Sequence, residues 1–117
     1  MTTTIKRVNP GKRFSTAVVH GDTVYLAGIT ADDTNADVTG QTADILRKID
    51  KALAAAGTNK SKVLSAQVFI TDITKWEDMN KAWDAWIDPN NMPVRATIEC
   101  KLAAPKYLVE IMMIAAL

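Results

Sequence analysis

Hydrophobic and polar positions along this chain change period several times, and each change marks an element. Thr16 to Gly28 reads as a β-hairpin: TAVVH and TVYLAG are β-branched or aromatic runs on either side of Gly21-Asp22, a dipeptide suited to a tight turn. A short first strand is expected upstream, near Thr3–Val8, closed by Pro10-Gly11. Residues 30–40 are polar and turn-rich and predict a loop. From Gln41 the period becomes helical: Ile45, Ile49 and Leu53 recur at i, i+4 spacing, with Leu46 and Ala56 beside them. Asp44 falls early and Gly57 supplies the stop, which bounds a helix over about 38–56.

Lys62–Thr71 alternates as a strand, with Val63, Ser65, Gln67 and Phe69 on one face and Leu64, Ala66, Val68 and Ile70 on the other. A second helix is predicted near 75–88, where Trp76, Met79, Trp83 and Trp86 form one wide aromatic stripe, and Pro89 ends it. Two further strands, Val94–Leu102 and Leu108–Ala116, are joined by a short turn containing Pro105. The order β-β-β-α-β-α-β-β predicts an α+β fold in one domain over residues 1–117, a six-stranded sheet with both helices packed on one face. The opposite face is left over: in the last strand Ile111 and Met113 alternate with Leu108, Met112 and Ile114, so both sides are apolar. Other subunits are expected to cover it, which predicts an oligomer.

Composition narrows the chemistry. The 117 residues carry 14 Lys+Arg against 13 Asp+Glu, and this near-neutral charge argues against a dedicated nucleic-acid binder. One cysteine excludes an internal disulfide framework and multi-Cys metal sites, and one histidine excludes every multi-His motif, so no metal is expected. No apolar run approaches the ~20 residues of a membrane span, and the start lacks the apolar region of a secretory signal, so a cytoplasmic protein is expected. Without a G-x-G-x-x-G or Walker-type loop, no nucleotide cofactor is expected.

The most informative stretch is Pro93–Lys101. Alternation sets Arg95, Thr97, Glu99 and Lys101 on one face, with Val94, Ala96, Ile98 and Cys100 on the other. At the start of a strand Arg95 can offer its guanidinium fork to a carboxylate, whereas spacing alone favours an ion pair with Glu99 or another surface acid. Glu110 stands alone in an apolar strand. Desolvation would raise its pKa and suit it to proton transfer or to orienting water; a cross-sheet ion pair is the equal alternative. On adjacent antiparallel strands, Arg95 and Glu110 would lie side by side or across a subunit boundary. Cys100 reads as a buried small hydrophobe, His20 as a solvated or structural corner residue, and the tryptophan stripe as a core face. The basic Lys6, Arg7, Lys12 and Arg13 read as a solvated cluster.

These residues together resemble the RidA/YjgF family of reactive-intermediate (enamine/imine) deaminases. The resemblance runs nearly end to end, through Val24–Thr30, Ala54–Gly57, Val68–Ile73, Met79-Asn80, Pro93–Arg95 and Tyr107–Ile111. Around Asn59–Ser61 and Asn80–Trp86 it is closer to a sister branch than to the best-known group. It implies a chorismate-mutase-like homotrimer with sheets inside, helices outside and active sites in intersubunit clefts, without metal or organic cofactor. The implied substrates are small 2-imino acids, hydrolysed to 2-oxo acids. Arg95 would hold the substrate carboxylate and Glu110 would orient the hydrolytic water, while Gly28, Asn80 and the Thr97 backbone would line the cleft. Three departures bear on substrate preference: Phe14 where tyrosine is common, Thr97 where cysteine is common, and a displaced proline in Leu102–Pro105. A trimer that binds small carboxylates, or acts as a chaperone, without turnover is the alternative. A ribonuclease would need a basic stripe and a histidine-based catalytic pair that the sequence lacks.

Overall fold

The structure is a computed structural model that describes residues 4–117. Strands β1 (Ile5–Pro10), β2 (Ser15–His20), β3 (Thr23–Leu26) and β4 (Ile29–Thr30) precede helix α1 (Val38–Ala56). Strand β5 (Val63–Ile70), helix α2 (Trp76–Trp86), β6 (Val94–Glu99) and β7 (Val109–Ala116) complete the chain. Single 3-10 turns, Lys60–Lys62 and Ile73–Lys75, lead into β5 and α2. The fold is the expected α+β arrangement, with one helix-covered sheet. Among the described residues no helix is long and apolar enough to cross a membrane.

Local chemistry accounts for the boundaries. Gly21 at φ 62° opens a two-residue turn between β2 and β3, where only the first central residue needs positive φ, the pattern of a type II′ hairpin. The N-cap of α1 is Asp37, whose Oδ1 accepts from the Gly40 N–H at 2.9 Å; Asp44 lies too far along the helix for that role. At the other end Gly57 is left-handed, with its N–H on the Ala54 carbonyl and that of Thr58 on the Leu53 carbonyl, a Schellman closure. The first strand begins later than expected, at Ile5; the Thr3 end of the predicted strand lies outside the described residues.

The sheet runs β1-β2-β3-β7-β5-β6, with β4 also paired to β7. It has seven strands where six were expected, because the second hairpin strand stops at Leu26 and resumes at Ile29. Ala27-Gly28 form the break. A larger correction concerns the last two strands. They are not neighbours: β5 lies between them, parallel to β6 and antiparallel to β7. The 100–108 connection therefore crosses β5 and is not a hairpin turn, and β6 is an edge strand ending at Glu99.

One sheet face is sealed by the helices. Val109, Ile111, Met113 and Ala115 of β7, with Ala66, Val68 and Ile70 of β5, are buried against Ile45, Leu46, Ile49 and Leu53 of α1 and Met79 of α2. The aromatic stripe of α2 is a core face only in part: Trp83 and Trp86 are buried, but Trp76, at the helix start, is 45% exposed. The opposite sheet face lacks a helix. It presents Tyr25, Val94 and Ile98 to solvent, with Met112 and Ile114 half-buried, so the leftover apolar face is present. Cys100 is half-buried just past the end of β6, not within a buried strand face.

Candidate active site

Two clusters contain all of the expected site residues, and they lie on opposite faces of the sheet. The first surrounds Glu110. It is half-buried on the helix-free face of β7, paired with Thr30 of β4 on one side and Phe69 of β5 on the other. Its carboxylate comes to rest in the break between β3 and β4: a Cβ added to Gly28 would overlap the Glu110 carboxylate oxygen. Gly28 is therefore required by the close approach of that side chain, and its own backbone is not in the left-handed region.

An open cavity of about 1060 Å³ spreads over this carboxylate, lined among others by Phe14, Gly28, Tyr25, Tyr107 and Glu110, with Arg7, Lys12 and Arg13 at its rim. Phe14, 68% exposed, also borders a second cavity of about 410 Å³ that runs from Gly28 and Thr30 toward α1. Tyr107 and the neighbouring backbone are fixed from beneath by Gln41. This wholly buried glutamine accepts from the Leu108 N–H at 2.9 Å and donates to the Lys106 carbonyl at 3.0 Å. It also donates to the carbonyls of Thr34 and Ala36.

The second cluster surrounds Arg95. In the parallel pair Arg95 matches Ala66 and Thr97 matches Val68, so both point to the helix side, at the free edge of the sheet. The Arg95 guanidinium lies over the Trp83 ring, 4.9 Å from its centroid, and its Nη1 is 3.9 Å from the Met79 sulfur. Burial pushes the Arg95 pKa down and the nearby Asp84 carboxylate opposes that, but the guanidinium stays charged at any physiological pH. The ion pair with Glu99 suggested by spacing does not form: Glu99 instead accepts from the Ile73 N–H at 2.9 Å. Asn80, half-buried on α2 one turn before Asp84, donates to Glu77 at 3.1 Å.

Arg95, Thr97 and Asn80 thus form one half of the expected constellation, and Glu110, Gly28 and Phe14 the other. Within one chain they do not meet, because β5 separates β6 from β7 and the two key side chains leave opposite faces. Of the two arrangements open to Arg95 and Glu110, the side-by-side one is excluded. Among the described residues the ion pairs are Arg47–Asp44, Lys48–Asp32 and Lys81–Asp78, so neither Arg95 nor Glu110 is neutralised. Sequence reasoning missed Gln41 and Tyr107. Gln41 had a visible signal, a polar residue four positions before Ile45 on the apolar stripe of α1, whereas nothing in the spacing marks Tyr107.

Comparison with known proteins agrees with this architecture. The family described as Endoribonuclease L-PSP matches residues 4–117. A RutC family protein, YoaB, of Escherichia coli strain K12 is 42% identical over 113 residues, covering 97% of this chain and 98% of the relative. A RutC family protein of Haemophilus ducreyi is 41% identical over 113 residues, with 97% of each chain covered. Among solved structures, a member of the YjgF protein family from Neisseria meningitidis superposes with a TM-score of 0.94 at 34% identity, covering 97% of this chain and 94% of the other. With its fold, length and sequence all in agreement, this chain belongs to the YjgF/RutC family.

Proposed function

We propose that this chain is a cytoplasmic Rid-type imine deaminase that hydrolyses small 2-imino acids to 2-oxo acids and ammonia, at clefts between the subunits of a homotrimer. The observation that carries this reading is that, among the described residues, Arg95 and Glu110, one cationic and one anionic, are both left without an ion-pair partner. Here Arg95 binds the substrate carboxylate through its free fork, and the neighbouring subunit brings Glu110, Gly28 and Phe14 to the imine carbon. Asn80 and the Thr97 backbone complete the wall beside Arg95.

In the reaction the imine is bound with its nitrogen protonated; Glu110 accepts a proton from water as the oxygen adds to the imine carbon, and the C=N π pair returns to nitrogen, which becomes a neutral amine. The resulting carbinolamine collapses when Glu110 gives that proton to nitrogen: the C–N bond breaks and ammonia departs, while the C=O bond forms as the hydroxyl proton passes to the Glu110 carboxylate and from there to solvent. The uncatalysed hydrolysis is already quick, so positioning plus one general acid–base contact, worth ~100- to 10,000-fold, is sufficient. The ribonuclease wording of the family description finds less support, because the one histidine, His20, is exposed at the end of β2 and outside the cavity over Glu110.

The test is loss of 2-iminopropionate and 2-iminobutyrate, generated in situ by an amino-acid oxidase and trapped with semicarbazide, for wild type and Arg95→Ala. Acceleration by wild type that is lost in the variant supports the deaminase. A folded oligomer that accelerates neither reaction would turn the assignment to a carboxylate-binding protein without turnover.

A further inference from the structure

Arg95 is held in an unusual way for a half-buried cation. Its neighbours are the face of the Trp83 indole and the Met79 thioether, neither of which takes up an N–H donor with any strength. Asp84, next to Trp83 in sequence, favours the charge at a distance but makes no ion pair with it among the described residues. An aromatic face beneath the cation offers no strong acceptor, so the guanidinium N–H groups remain available to a planar carboxylate. A carboxylate in the same place would hold the arginine equally well but would compete with the ligand for those donors.

The ring is itself immobilised. Trp83 is buried and its centroid is 5.9 Å from that of Trp86, at an interplanar angle of 53°. Trp86 in turn donates from Nε1 to Asp50 of α1 at 3.0 Å. Lys60 caps that assembly: its ammonium lies 5.4 Å from the Trp86 ring centroid and donates to the Trp86 carbonyl at 2.6 Å. A continuous set of contacts therefore runs from α1 through two indoles to the guanidinium.

We propose that Trp83 is a positioning residue for Arg95, whose indole face, fixed through Trp86 to Asp50, holds the guanidinium ready for the substrate carboxylate. This rests on the deaminase reading. Its contribution is to pre-organise an otherwise flexible side chain, which lowers the ordering cost of binding and leaves the hydrolytic step at Glu110 untouched. The effect therefore belongs in KM and in carboxylate affinity, and kcat is spared.

The experiment compares wild type, Trp83→Leu and Trp83→Phe as full-length oligomers, in the trapping assay with 2-iminobutyrate and in titrations with 2-oxobutanoate followed by tryptophan fluorescence. Trp83→Leu is expected to raise KM by about five- to tenfold, the equivalent of one partly desolvated cation–π contact, with kcat within about twofold of wild type. Trp83→Phe, which keeps an aromatic face, is expected to fall between the two. Saturating 2-oxobutanoate should change the fluorescence of wild type, and the change should vanish in Trp83→Phe although Trp76 and Trp86 remain. An unchanged KM in either folded variant, a fall in kcat alone, or a fluorescence change that survives in Trp83→Phe would overturn the proposal. Should Trp83→Leu fail to fold, Trp83→Phe decides by the same two readouts. A wild type that neither turns over substrate nor binds 2-oxobutanoate removes the deaminase reading and this proposal with it. Turnover in wild type with an unaltered KM in the variants removes this proposal alone.

Discussion

A carboxylate that is to orient water must be held in place without being neutralised, and Glu110 meets that condition through sterics. Its side chain fits into the space that the missing Cβ of Gly28 leaves at the break between β3 and β4. Gly28→Ala should therefore push the carboxylate aside. The displaced atoms are the end of a flexible side chain, so stability should change by less than about 1 kcal/mol, while a shift of roughly 1 Å can cost on the order of 100-fold in kcat. Steady-state kinetics beside urea denaturation separate the two effects; equal loss of both would make Gly28 a folding residue only. Glu110→Gln, which keeps the shape and removes the base, should lower kcat by ~100- to 10,000-fold with an unchanged denaturation midpoint. Both residues could be picked out in the sequence, Glu110 because an acid in an apolar strand is conspicuous. Their contact could not: Gly28 marks an interruption of the strand, but nothing local tells that the side chain filling the gap comes from the distant Glu110.

At the scale of elements, the loops around the cleft are tied to α1 by two buried or half-buried polar groups. Gln41 fastens the 106–108 backbone under Tyr107, and its replacement by leucine leaves the Leu108 N–H and the Lys106 carbonyl without partners. Each unsatisfied buried group costs about 1–3 kcal/mol, so Gln41→Leu should lower the urea midpoint clearly, and a midpoint equal to wild type would show that the turn finds other partners. Asp44 fastens the other loop. The N–H of Asp33 foremost, then that of Asp32 with Arg47 alongside, hold its carboxyl below the usual range against the opposing effect of burial. A carboxyl depressed in the folded state stabilises above its unfolded pKa and loses that contribution as pH falls through the lower folded value. The stability gap between wild type and Asp44→Asn should thus be full at pH 7 and close on acidification below about pH 4. Helix α1 and the hairpin at Gly21-Asp22 were legible because their signals are local: periodicity, a cap glycine and a tight-turn dipeptide. Strand order was not. The short 100–108 link suggests a hairpin, and only the long-range pairing of β5 with both β6 and β7 reveals the crossover.

For the molecule as a whole, the separation of Arg95 from Glu110 makes a strong demand. A single chain carries Arg95 at the sheet edge on the helix side and Glu110 in a cavity on the open side, so for the proposed deaminase each half is incomplete alone. Copies that meet head to tail bring one half against the other, and such a contact closes into a ring when the rotation permits. Charge is consistent with that polarity: Arg7, Lys12 and Arg13 line the Glu110 cavity, whereas the acid acting on Arg95 from α2 is Asp84. The leftover apolar face was visible in the pattern of β7, and a site across a subunit boundary was one of two arrangements open to Arg95 and Glu110; the choice between them was not legible, because it depends on strand order and on which face each strand presents. Co-expression of Arg95→Ala with Glu110→Gln, each inactive alone, provides the test. In a head-to-tail ring, a cleft is intact when Arg95 comes from the second variant and Glu110 from the first. Random mixing gives each condition half the time, so roughly a quarter of wild-type activity should return over the whole co-expressed population, homo-oligomers included. If both residues served one chain, every cleft in the mixture would lack one of them and no activity would reappear, whatever the number of subunits.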